Sequence, residues 1–239
     1  MIESLIRNLS ARDILDPDEI AQLQRVIGNE RYVGLGEDIV AEGSRPMTST
    51  LLVDGIAARY RVMEDGTRQI TALHVAGDFV DLHAFMLKTM DHGVLALSRC
   101  QTAIADHKDL KLVTETQPHL ARMLWLSTVI DGAIHREWIT AMGGRSKKSH
   151  LAHLICELFT RLKVVGKVKG SSFHFPLSQA VVADVLGISL VHLNKTLQNL
   201  RRDEVIQWED RVIAIQNWPE LASIAEFDDV YLNLVNEPR

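Results

Sequence analysis

Only two cysteines, Cys100 and Cys156, occur in 239 residues, and each lies in an apolar stretch. That setting predicts buried free thiols rather than a disulfide framework or a cysteine metal site. No apolar run approaches the roughly 20 residues needed to cross a bilayer. The start, MIESLIRNLSARD, has acids and no long hydrophobic region, unlike a signal peptide. The cytoplasm is the expected compartment, with no membrane partner. An excess of positive charge is also lacking: the formal net charge is -5, so bulk electrostatics give no argument for a polyanionic partner. Neither a Ser-His-Asp arrangement nor a Gly-rich phosphate loop stands out. No catalytic residue, metal ligand set or cofactor is assigned.

What is present is an ordinary globular composition, 46% hydrophobic and 24% charged, long enough for a sizeable core and two domains. Charge is unevenly spread. Residues 143 to 202 hold ten basic residues against two acidic ones, Glu157 and Asp184, whereas the flanking stretches are both acidic. One 60-residue block therefore carries a local charge of +8, enough for several phosphate contacts.

Residues 1 to 30 carry helical spacing at Leu5, Ile6 and Leu9 and again at Ile20, Leu23, Val26 and Ile27, with Asp16-Pro17 as a helix start between them. From Arg31 to Asp106 the texture changes to short Val-, Ile-, Leu- and Thr-rich runs punctuated by Gly and Asp-Gly. Strands at this density predict a small barrel or sandwich, with the clearest hairpin turning at Glu64-Asp65-Gly66-Thr67. After His107 the period becomes helical. Past Pro118, Leu120, Leu124, Ile130, Ile134, Trp138 and Met142 follow one side of a long helix, and Met123, Leu126 and Ala133 the other. Two apolar faces call for a partner beyond its own barrel, most simply a second copy, with Ile130 and Ile134 in the contact. Gly143-Gly144 is expected to end this helix as a flexible joint. The resulting division is a β-rich domain over 1–108, a dimerisation helix and hinge over 109–144, and a third part over 145–239.

That third part centres on Pro176 to Arg202, PLSQAVVADVLGISLVHLNKTLQNLRR, which reads as a helix-turn-helix. Ser178 caps a first helix whose apolar face is Val181, Val182, Val185 and Leu186. Ala183 permits close crossing, and Gly187 supplies a turn with positive φ. Ser189 caps the second helix, where Leu193, Leu197 and Leu200 face inward and Val191, Asn194, Lys195, Gln198 and Arg202 face out. Such a helix fits the DNA major groove, where Asn, Gln and Lys can read base edges. Two short strands around Glu209-Asp210 then form a wing. Ser178 and Gln179 at the first helix start, and Lys147 and Lys148 after the joint, complete the candidate DNA contacts.

Barrel, long helix, joint and winged helix in this order resemble the Crp-Fnr family of bacterial transcription regulators. The resemblance is carried by Gly36-Glu37-Asp38-Ile39-Val40-Ala41-Glu42-Gly43, by Gly77-Asp78-Phe79, and by Leu186-Gly187-Ile188-Ser189 running through Asn194-Lys195 to Leu200-Arg201-Arg202. It implies an α+β chain: an antiparallel jelly-roll barrel like a cyclic-nucleotide-binding domain, a dimerisation helix and a C-terminal winged helix-turn-helix. It also implies a homodimer on near-palindromic double-stranded DNA, RNA polymerase as a further partner, and DNA contacts at Ser189, Val191, His192, Asn194 and Lys195.

The departures are informative. Lys195 stands where members mostly have Arg, which weakens bidentate reading of guanine. Glu204 replaces a Gly common after the recognition helix, which predicts a slightly different path into the wing. Cyclic-nucleotide-binding members present a Glu for the ribose and an Arg pair for the phosphate after Gly-Asp-Phe. Here the loop reads Val80-Asp81-Leu82-His83-Ala84-Phe85 and then Lys88-Thr89-Met90-Asp91-His92-Gly93. Cyclic AMP is thereby not expected as the effector, and two cysteines exclude the four-cysteine cluster of the oxygen-sensing branch. Asp81, His83, Asp91 and His92 become candidates for an effector pocket that binds a metal or an unknown small molecule, or responds to pH. The second reading is a cupin-like small-barrel metalloprotein or metalloenzyme, against which stands the lack of any His-x-His pair among His74, His83, His92 and His107.

Overall fold

The computed structural model describes residues 1–239. Two short helices lead in, α1 (Glu3–Ser10) and α2 (Pro17–Val26). The Asp16 side chain accepts the Glu19 amide at 2.8 Å while the Glu19 carboxylate accepts the Asp16 amide at 3.0 Å, and Pro17 follows at the first helical position. This reciprocal cap fixes where α2 begins.

Seven strands follow: β1 (Ile27–Val33), β2 (Asp38–Val40), β3 (Thr48–Asp54), β4 (Ala57–Val62), β5 (Arg68–His74), β6 (Gly93–Ala96) and β7 (Cys100–Asp106), with a one-turn helix α3 (Ala84–Leu87) between β5 and β6. They form two antiparallel sheets, ordered β1-β7-β3 and β2-β6-β4-β5. Of the barrel or sandwich expected from the strand density, the chain forms the two-sheet sandwich. Its interior is filled by Val33, Leu52, Ala57, Val80, Val94 and Cys100 among others. The β4–β5 hairpin pairs Val62 with Arg68. Asp65 accepts the Thr67 amide at 2.9 Å across its turn, and Gly66 takes φ +82°.

Helix α4 (His107–Thr116) closes over the three-stranded sheet, where Leu110 and Val113 pack with Leu5, Leu9 and Leu23. Helix α5 (Pro118–Gly144), 27 residues long, follows as the longest helix. Here the sequence reading of its faces is corrected. Ile130, Ile134 and Trp138 are buried within their own chain, in one continuous core with Ile56, Leu73 and Val75 of the β-domain and Leu151, Leu154 and Ile155 beyond the joint. The free apolar side is instead Trp125, Val129, Ile139 and Met142, 70%, 49%, 65% and 42% exposed. The joint also differs. Gly143 and Gly144 are the last residues of α5, and the break falls at Arg145-Ser146. Arg145 pairs with Glu137 at 2.5 Å, and the Ser146 hydroxyl accepts the Ser149 amide at 3.2 Å to start α6 (Lys147–Val164).

The C-terminal part comprises α6, the short strands β8 (Val168–Lys169) and β9 (Ser172–His174), helices α7 (Gln179–Val185) and α8 (Leu190–Arg202), strands β10 (Ile206–Glu209) and β11 (Val212–Ile215), and α9 (Trp218–Ala225). Its sheet is ordered β10-β11-β9-β8. No single helix is long and apolar enough to cross a membrane. Both cysteines are buried free thiols as the sequence predicts, and burial pushes Cys156 up to about 12.

Candidate nucleic-acid interface and sensor cluster

Helix α8 turns 104° away from α7. Three local features set this angle. Ser178 and Ser189 each accept, through the hydroxyl, an amide three residues on, from Val181 and His192, both at 3.3 Å. Between the helices Gly187 takes φ +61°, with the Ile188 amide donating to Ala183 at 3.0 Å and the Gly187 amide to Asp184 at 3.1 Å. This is a Schellman ending, in which the left-handed residue lets two terminal carbonyls find donors. Val182, Ala183, Val185 and Leu186 of the first helix and Leu193, Leu197 and Leu200 of the second are buried together, as their spacing predicts.

The outward face of α8 carries Val191 (77% exposed), His192, Lys195, Gln198 and Arg202, all exposed, and Asn194, half-buried. Ser178 and Ser189 are exposed and Gln179 half-buried beside them. The His192 ring lies over the helix start, its Nδ1 3.0 Å from the Ser189 hydroxyl. Arg202 lies against Asp203 at 3.1 Å. The two lysines after the joint separate: Lys147 is exposed, whereas Lys148 bonds Asp203 at 3.1 Å and ties the start of α6 to the end of α8.

The wing leaves α8 through a second Schellman ending. The Val205 amide donates to Leu200 at 2.9 Å and the Glu204 amide to Arg201 at 3.0 Å, with Glu204 at φ +52°. Glu204 therefore takes the left-handed conformation that Gly would take. Strands β10 and β11 pair from Ile206–Ile215 to Glu209–Val212, turning at Asp210 and Arg211, both at positive φ as a tight hairpin turn requires. Arg201 donates to the Trp208 carbonyl at 2.5 Å and fixes the wing to the helix. The added strands β8 and β9 escaped the sequence reading because two or three residues carry no measurable alternation.

The four candidates for the sensor pocket fall into two places. Asp81 is fully buried, its carboxylate accepting from the Thr50 amide and hydroxyl. Burial pushes it up to about 7 against those bonds. It lines a cleft with Arg31, Ser44, Arg45 and Thr50. His83, Asp91 and His92 lie elsewhere, as one group. The two imidazole centroids are 4.9 Å apart, and His92 Nδ1 is 2.7 Å from Asp91 Oδ1. Burial, then the nearby Arg59 charge, lowers His83 to about 4 and lowers His92 as well. For Asp91 the upward effect of burial is outweighed by His92, and it lies below the usual carboxylate range.

Sequence reasoning missed the groups that join this cluster to α5. Arg59 on β4 pairs with Asp131 at 2.9 Å and donates to His135 Nε2 at 2.6 Å. Burial would raise Asp131, but Arg59 holds it down at about 2. A second buried set binds α6 to the β-domain: Arg161 reaches Asp78 at 2.5 Å, Glu157 at 2.9 Å and the Leu73 carbonyl at 3.1 Å. Periodicity cannot reveal these, because a charged residue in an alternating strand or an amphipathic helix reads the same whether it faces water or a partner.

A sandwich domain, a long helix and a capped helix-turn-helix with a wing in one chain define a DNA-reading regulator. Residues 30–117 match the cyclic nucleotide-binding domain and residues 149–224 the Crp-like helix-turn-helix domain. The chain belongs to the Crp-Fnr family of transcription regulators. It is 26% identical over 199 residues to the transcriptional activator protein FnrL of Cereibacter sphaeroides, covering 82% of this chain and 79% of that one. It is 23% identical over 202 residues to the nitrogen fixation regulation protein FixK of Bradyrhizobium diazoefficiens, covering 84% and 83%. The solved structure of FixK2 from Bradyrhizobium japonicum shares the fold, with a TM-score of 0.72 at 20% identity over 82% of this chain and 96% of that one. The cupin reading finds no support beside these matches.

Proposed function

We infer that the chain works as a homodimer that reads a near-palindromic DNA site and answers to an effector other than cyclic AMP, with RNA polymerase as a further partner and no catalytic role. The observation that carries this is the outward face of α8, polar and exposed on a helix pair rigidly crossed at 104°. A helix so presented enters the major groove by its first two turns. Asn194, Lys195 and Gln198 are the base readers, Val191 offers an apolar contact to a thymine methyl, and Ser178, Gln179, Ser189, His192, Arg202 and Lys147 meet the backbone. Lys148, held by Asp203, supports the phosphate contacts only through its charge.

Residues 1–108 act as sensor, 109–144 as dimerisation helix and hinge, and 145–239 as reader. The dimer contact is the exposed side of α5. Trp125, Val129, Gly132, Arg136 and Ile139 recur at steps of four and three, the spacing of a helix seam that needs a second helix. Against cyclic AMP stand the missing Arg pair and the carboxylate of Asp91, which repels a phosphate.

Selection of duplexes from a random pool by the purified full-length protein tests the reading. The selected sequences should share two inverted half-sites whose centres lie about one helical turn apart, and added cyclic AMP should leave the yield unchanged. A pool that stays random, or enrichment of single half-sites with no inverted partner, would overturn it.

A further inference from the structure

We propose that His83, His92 and Asp91 form a binding site for a divalent transition-metal ion of the zinc, iron(II) or cobalt(II) type, the two imidazoles supplying nitrogen and Asp91 the carboxylate. One donor atom from each of the three residues lies within 4.8 Å of the others, so small side-chain movements bring them to a common ion. Imidazole nitrogen with one carboxylate suits these borderline ions rather than calcium or magnesium.

The hydrogen bonding of the rings singles them out. His92 Nδ1 and Asp91 Oδ1 face each other at 2.7 Å across a single shared proton, and an ion that replaces this proton makes both of them ligands. The other ring nitrogen of His92, Nε2, is buried without a partner, and the residue is 93% buried, being 7% exposed. His83 Nε2 is likewise buried without a partner. A buried imidazole nitrogen without a partner is costly in a folded chain, and an ion on His83 Nε2 removes that cost. Arg59 is the nearby cation that would oppose an ion, but Asp131 holds it at 2.9 Å and offsets its charge.

Access and rigidity are both provided. The Asp91 side chain is 69% exposed, so the ion has a route in and room for water ligands. The loop behind it is fixed: Arg61 donates to the Asp91 carbonyl at 2.6 Å, and Gly93 packs against the Tyr60 ring so closely that no Cβ fits. The site does not depend on the DNA-reading inference and stands or falls separately from it.

The test uses full-length, tag-free protein stripped with chelator and titrated with Co²⁺ alone, then with Zn²⁺ in competition with a chromophoric chelator. One ion per chain is expected, with visible cobalt bands of nitrogen coordination and a rise in melting temperature with added metal. Asp91→Asn should weaken binding about 10- to 100-fold, and His83→Ala and His92→Ala by more than that. His174→Ala, an exposed histidine on β9, should change nothing. His83 is only half-buried, so its variant decides the matter if the His92 variant fails to fold. No stoichiometric ion at tens of micromolar metal, or unchanged binding in His83→Ala, would overturn the proposal.

Discussion

Glu204 is one of the non-glycine residues held in the left-handed region, where its side chain is a cost. It stands at φ +52° at the C-terminal ending of α8, where a side chain costs about 1–2 kcal/mol relative to Gly. Its neighbours hold it there, through the bonds from Val205 to Leu200 and from Glu204 to Arg201. Glu204→Gly should therefore raise unfolding free energy by about 1 kcal/mol, after the entropy Gly adds to the unfolded chain is subtracted. Denaturant unfolding at constant slope measures it, and a loss of stability would show that the Glu204 side chain contributes contacts of its own. The caps at Ser178 and Ser189 and the turn at Gly187 were legible in the sequence because each residue type has one physical use at that offset. The left-handed turn at Glu204 was not legible, because two backbone bonds set it and the residue type does not announce it.

Among the elements, α7 and α8 were legible, since each carries one apolar stripe at helical spacing with a cap or a left-handed turn at its ends. Helix α5 was legible in length but not in orientation. It carries apolar residues on nearly every side, so periodicity names a buried helix without saying which side faces its own chain. Ile130 and Ile134 pack inside with the β-domain and the reader, and Trp125, Val129 and Ile139 are left over. The two sides should respond differently to charge. Val129→Glu with Ile139→Glu should yield a folded monomer with a normal melt, because each residue is about half-exposed or more already. Ile134→Glu should unfold the chain, burying an unpaired charge within the core. Sedimentation velocity beside far-UV circular dichroism separates the cases, and a dimer surviving the first pair would move the contact off this stripe.

Over the whole molecule the reader is packed onto the sensor rather than tethered to it. The Arg161 set bridges α6 and the β-domain, and the C-terminal tail returns to the start of the chain, where Arg12 donates to the Leu232 carbonyl at 2.8 Å and Asn236 to Ser10 at 2.8 Å. None of this was legible, since partners more than 200 residues apart leave no local pattern. Acid should loosen the arrangement. Burial, then Lys147 and Arg145, lowers His150 to about 4, and burial, then Arg145 and His150, lowers His153 to about 3. His153 sits between Phe227 and Tyr231, and the Glu137 carboxylate 3.5 Å from it is already taken by Arg145. Both folded values lie below the unfolded value of about 6.5, so the unfolded chain binds more protons in between. Stability is full above about pH 6.5 and falls as pH drops toward 4, by up to about 1.4 kcal/mol per pH unit for each ring. Urea melts at pH 7.5 and 5.0 check this, and the His153→Phe variant should lose part of the difference; equal midpoints would contradict it.

The central claim is that α8 reads sequence, and one measurement tests it most directly: a salt titration of binding to selected and random duplexes for the unmodified protein, Asn194→Ala, Lys195→Ala and Lys147→Ala. The first two variants should lose about 1–3 kcal/mol on the selected duplex and much less on the random one, so that the preference flattens. Lys147→Ala should weaken both alike and lower the salt slope by about 1. If Asn194→Ala and Lys195→Ala weakened both duplexes equally, the face of α8 would serve only to attract DNA, and sequence would be read elsewhere.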